Sequence, residues 1–79
     1  MKVRVDIVLK EGVLDPQGKA IGHALGSLGF KGIGEVRAGK VIELELAEKD
    51  AAKARETATE MAEKLLANLV IEDYRITVL

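Results

Sequence analysis

The chain opens on a strict alternation. Val3, Val5, Ile7 and Leu9 fall on one side of an extended segment, with Lys2, Arg4, Asp6 and Lys10 on the other. Period two with β-branched residues predicts a half-buried strand. Val8 is the one apolar residue on the polar side, which points to partial cover of that face. From Pro16 the period lengthens. Ile21, Leu25 and Leu28 recur at helical spacing around Ala24, and Gly29 stands where a C-cap belongs, with Lys31 beyond it. The junction is Gly12-Val13-Leu14-Asp15-Pro16-Gln17-Gly18. Gly12 can end the strand at a positive φ, Asp15 can accept from the free amides of the first turn, and Pro16 at the first helical position forfeits no bond.

Gly18, Gly22 and Gly26 are four apart and share one helix face. Each costs about 1 kcal/mol against Ala inside a helix. The face is either approached closely, by a sheet or a second subunit, or merely tolerates glycine on a short helix. The stretch from Ile33 to Ala47 is β-rich. Ile33, Glu35 and Arg37 alternate with Gly34, Val36 and Ala38; after Gly39-Lys40, the residues Ile42, Leu44 and Leu46 face one way and Glu43 and Glu45 the other. Ala38-Gly39 is either the loop of a hairpin or a bulge that bends one long strand.

A second helical stripe runs through Ala51, Ala54, Ala58, Met61 and Leu65, with Lys, Arg and Glu opposite. Glu48 and Asp50 at its start and Lys64 near its end suit the helix dipole, and Asn68 can serve as a left-handed C-cap. Val70 to Leu79 closes the chain as a strand, Tyr74, Ile76 and Val78 on one face and Arg75 and Thr77 on the other. The order β-α-β(β)-α-β predicts an α+β fold, a two-layer plait with two helices on one face of an antiparallel sheet.

Composition narrows the function. Seventy-nine residues make one domain with a small core, a size that gains from association. The absence of cysteine removes disulfides and thiolate metal sites. A net charge of −1, one Tyr, one Phe and no Trp give no electrostatic or stacking basis for nucleic acid. No apolar run reaches the roughly 20 residues of a membrane span. The cytoplasm is the expected compartment.

Candidate chemistry is sparse. His23 has no second His or Cys at ligand spacing and reads as a surface or interface residue. Glu43/Glu45 and Glu72/Asp73 are carboxylate pairs, read most simply as solvated strand positions. Gly29-Phe30-Lys31-Gly32 has the form of a backbone-clamping loop, without the positive charge that RNA would require. No phosphate loop is present, and Ser27 and the threonines lack a base. The residues describe a binding or assembly module.

Lys10-Glu11-Gly12-Val13-Leu14-Asp15-Pro16-Gln17-Gly18-Lys19-Ala20 resembles the signature of PurS, the small subunit of phosphoribosylformylglycinamidine synthase. Leu28-Gly29-Phe30, Val36-Arg37-Ala38-Gly39-Lys40, Leu65-Leu66-Ala67-Asn68 and Val70-Ile71-Glu72-Asp73-Tyr74 fit the same family in the same order. One departure is Leu69, where the family usually has Pro, a change that loosens the helix exit.

The resemblance implies a non-catalytic role in purine biosynthesis. The large subunit carries out the amidation with ATP and Mg, a glutaminase subunit releases ammonia, and the small subunit bridges them and helps ammonia across. It binds no cofactor, metal or substrate of its own. The implied partners are those two subunits and further copies of itself, as a dimer or a dimer of dimers. Candidate contact residues are Asp15, Pro16, Gln17, Gly18 and Gly22 on the first motif and helix. Arg37 and Lys40 at the bend join them, as do Asn68, Glu72, Asp73 and Tyr74 at the end. The element order with a Gly-Val-Leu-Asp turn also resembles an ACT-type regulatory domain, which would bind an amino acid near that turn.

Overall fold

The alternating segment forms β1 (Lys2–Leu9), and it becomes the centre of the sheet in a computed structural model that describes residues 1–79. On its flanks lie β2 (Gly39–Glu45) and β3 (Glu72–Val78), both antiparallel to it. The register runs from Lys2 opposite Glu45 to Val8 opposite Gly39 on one side, and from Val3 opposite Val78 to Leu9 opposite Glu72 on the other. Two helices complete the α+β fold: α1 (Pro16–Ser27) between β1 and β2, and α2 (Ala51–Met61) between β2 and β3. No helix is long and apolar enough to cross a membrane.

The core lies between the sheet and α2. Val3, Val5 and Ile7 are the largest fully buried side chains, joined by Ile76 from β3. Burying each is worth about 1.5–3 kcal/mol. α2 meets them with Ala54, Ala58 and Ala62, all fully buried at i, i+4 spacing. The helix side of this interface offers only methyl groups to the larger side chains of the sheet. Asp50 caps α2, its Oδ1 accepting from the Ala52 amide at 2.8 Å.

The buried stripe is not the one that strict α-helical spacing predicts. Beyond Met61 the helix widens into a π-turn over Ala62–Leu66, closed by the Ala67 amide on the Ala62 carbonyl at 2.9 Å. The extra residue carries the inward face from Ala62 to Leu66 and Ala67 and leaves Leu65 outside. Asn68 does not take the left-handed cap conformation, since no residue other than glycine has a positive φ. The helix instead ends in the extended Ala67. Asn68 organises the next turn, its carbonyl accepting from the Glu72 amide at 2.7 Å and its own amide donating to Glu72 Oε1 at 2.6 Å.

α1 is the other departure. Its helix starts at Pro16 behind Asp15 and ends as a Schellman motif, with Gly29 at φ 95° and the Phe30 amide on the Leu25 carbonyl. Only α2 is packed over the sheet; α1 stands off it together with residues 30–38. The segment 33–38, whose alternation reads as strand, is neither half of a hairpin nor a paired extension of β2, because pairing with β1 stops at Val8 and Gly39. It runs along α1 instead. The result is an elongated molecule, 48 × 24 × 15 Å with a radius of gyration of 15.9 Å. A compact chain of this length has about 12 Å.

Candidate functional site

The residues of the Gly12–Gly18 junction and of the bend meet at the root of this arm. Asp15 is 8% exposed, and its two carboxylate oxygens are divided between two segments. Oδ1 accepts from the Gly18 amide at 2.8 Å, as an N-cap should, and Oδ2 accepts from the Ala38 amide at 2.7 Å. The Gly18 bond, then the Ala38 bond, hold its carboxyl below the usual carboxylate range; the Arg37 charge adds to this and desolvation opposes it.

Arg37 closes the root from the other side. Its Nη2 donates to the carbonyls of Leu9 and Lys10 at 2.6 and 3.0 Å, and Nη1 is held by Glu35 at 3.1 Å. The guanidinium is thereby tied to the end of β1. Between these anchors Val36 lies over the glycine face of α1. A Cβ on Gly18 would sit 2.1 Å from the Val36 carbonyl oxygen, and one on Gly22 would sit 3.3 Å from Val36 Cγ2. The close approach implied by the glycine spacing is made at two of the three positions by the chain's own Val36, through its backbone at Gly18 and its side chain at Gly22.

An open cleft of about 520 Å³ runs between α1 and residues 33–37, with Lys19, His23 and Glu35 on its walls. A smaller recess of about 220 Å³ beneath the root brings Gln17, Lys40 and Glu72 together beside Asp15. Pro16, Gln17 and Lys40 are exposed there. Asp73 lies on the outer face of β3, 3.5 Å from Lys10 Nζ. Tyr74 is apart from the root: its hydroxyl donates to Glu63 Oε2 at 3.2 Å, and burial, with the Glu63 charge, raises its phenol above the usual 10.0. His23 is exposed on α1, Glu43 pairs with Lys2 at 3.2 Å, and no three His, Asp or Glu side chains converge.

Two contacts carry no signature in the sequence. Leu9 and Lys10 serve Arg37 through main-chain oxygens, which are blind to residue type. Arg55 on α2 donates to the Ile76 carbonyl at 2.9 Å, covering part of the free edge of β3. The free edge of β2 has no such guard. Apolar side chains of α1 and the segment after it are open as well: Ile21 and its C-cap Leu28 are 40% and 75% exposed, and Phe30 and Ile33 59% and 41%.

Residues 2–79 match the PurS family model, described as phosphoribosylformylglycinamidine (FGAM) synthase. The PurS subunit of that synthase from Bacillus subtilis is 52% identical over 77 residues, which cover 98% of this chain and 90% of that one. The crystal structure of Methanocaldococcus jannaschii PurS, one of the subunits of formylglycinamide ribonucleotide amidotransferase, shares the fold with a TM-score of 0.87 at 46% identity, covering 96% of this chain and 92% of that one. A chain in the structure of PurLQS from Thermotoga maritima gives a TM-score of 0.89 at 32% identity, over 99% and 95% of the two chains. The chain belongs to the PurS family, the family of an FGAM synthase subunit in purine biosynthesis.

Proposed function

We propose that this chain is a non-catalytic subunit that bridges the ATP-dependent synthase subunit and the glutaminase subunit and assists the passage of ammonia between them. ATP and Mg are handled by the synthase subunit, and the chain associates with copies of itself. The arm carries this reading. An amphipathic helix that leaves Ile21 and Leu28 in solvent, beside a core of eight residues of which four are alanine, is built to be completed by other chains. The relative within PurLQS supports the same partners.

Reconstitution tests it. The synthase and glutaminase subunits are assayed with glutamine and, separately, with free ammonia, each with and without this chain. Product from glutamine should require the chain, product from ammonia should not, and the chain alone should turn over nothing. Equal glutamine-dependent turnover without it would remove the bridging role.

A further inference from the structure

The arm, residues 12–38, is joined to the sheet by two short crossings of chain, one ahead of α1 and one at Ala38–Gly39. Nothing resembling a helix-on-sheet interface holds it there. On the first crossing Gly12 sits at φ 86° with no atom within 4 Å of a Cβ placed on it, so packing does not stiffen that crossing. Inside the arm the parts are locked: Val36 lies on the Gly18 and Gly22 backbone, and the Phe30 amide returns to the Leu25 carbonyl. The second crossing is fixed at its sheet end, where Gly39 pairs with Val8, so the orientation of the arm depends on what ties the open first crossing to it. Two side chains do this. Asp15, on the first crossing, accepts from Ala38 on the second; Arg37, just ahead of the second, donates to Leu9 at the end of β1 and to Lys10 after it.

We infer that Asp15 and Arg37 are positioning residues for the glutamine-dependent reaction: together they set the angle between the arm and the sheet, and that angle determines how the neighbouring subunits are held for ammonia transfer. The second half rests on the function proposed above. Arg37 ties the arm to the end of β1, and Asp15 joins the two ends of the arm at its root, so loss of either loosens the junction about which the arm can turn. Chemistry elsewhere in the assembly would be untouched. Reactions that demand aligned partners lose rate steeply with small displacements.

The test separates geometry from charge. Arg37→Lys keeps the positive charge a partner would feel but loses the planar fork. Asp15→Asn keeps the shape but turns one of its two acceptors into a donor. The chain has no cysteine, so Ser27→Cys on α1 and Arg75→Cys on β3 give a unique pair of sites for spin labels, measured in an excess of unlabelled chain. The unsubstituted background should give one narrow distance, and Asp15→Asn and Arg37→Lys should each broaden it. In the reconstituted synthase both should lower glutamine-dependent turnover by about tenfold or more while ammonia-dependent turnover stays unchanged. Narrow distances in both variants would overturn the tie. Broad distances with an unchanged ratio of the two activities would overturn its link to transfer, as would full rescue by Arg37→Lys. If glutamine-dependent turnover never needed the chain, the proposed function fails, and the label distances still decide whether the tie exists.

Discussion

The amide of Ala38 donates to the side chain of Asp15 at 2.7 Å, joining the last residue before β2 to the cap of α1 across 23 positions of sequence. One carboxylate thus starts a helix and fastens the end of the arm that follows it.

This bond makes stability depend on pH in a definite sense. The Asp15 pKa is lowered from 3.8 in the folded chain, first by the Gly18 bond and then by the Ala38 bond. A depressed carboxyl stabilises the fold above its unfolded value and loses that contribution as pH falls through the folded value. Thermal melts of the chain and of Asp15→Asn should differ at neutral pH by on the order of 5 °C, with the variant lower. The gap should narrow below pH 3.8. A gap independent of pH would show that the carboxylate charge contributes nothing.

Gly18 and Gly26 share a helix face and should respond in opposite ways to alanine. At Gly18 the new methyl would meet the Val36 carbonyl oxygen at 2.1 Å, whereas at Gly26 nothing lies within 4 Å. Gly26→Ala should stabilise the isolated chain by about 0.5–1 kcal/mol through backbone entropy. Gly18→Ala should destabilise it by at least about 1–3 kcal/mol, because backbone must move. Denaturant midpoints measure both. Equal losses at the two sites would mean that a neighbour occupies Gly26.

The same helix shows what local pattern could and could not convey. The ends of α1 were legible because Asp15, Pro16 and Gly29 act on their own turns, and β1 because Val3, Val5 and Ile7 meet the same core. The alternation of residues 33–38 is misleading, since membership of a sheet requires a partner and the pairing of β1 on that side ends at Val8. A 3.6-residue period puts Leu65 inside, and the π-turn breaks that period. Arg37 carries a charge suited to a partner's surface, and its bonds within the chain go to main-chain oxygens of Leu9 and Lys10, which no residue pattern marks. The second bond of Asp15 was hidden for the same reason: its donor is an amide that any residue could supply.

Ala58 should be a size limit. It is fully buried against the sheet, midway between Ala54 and Ala62. Ala58→Leu adds three heavy atoms where helix and sheet approach through methyl groups, and should cost at least about 1–3 kcal/mol. Ala52→Leu, on the exposed side of α2, should shift stability by no more than about 0.5 kcal/mol. Melting the two variants side by side checks this, and equal midpoints would mean that α2 does not carry the core.

Tyr74 offers a direct titration, because it is the only tyrosine. Burial raises its phenol above 10.0, and the charge of Glu63 and the bond to it add to the rise. The neutral phenol is the form favoured by the fold. Its contribution to stability is therefore complete below the unfolded value and disappears as pH rises through the folded one. Tyrosinate absorbance should appear later than for a free phenol, with alkaline unfolding following it. Glu63→Gln removes the negative charge while leaving an acceptor, so the titration should move back toward 10.0 without returning fully, since burial is the larger cause. An unchanged titration in Glu63→Gln would show that the Tyr74 hydroxyl is not held by Glu63.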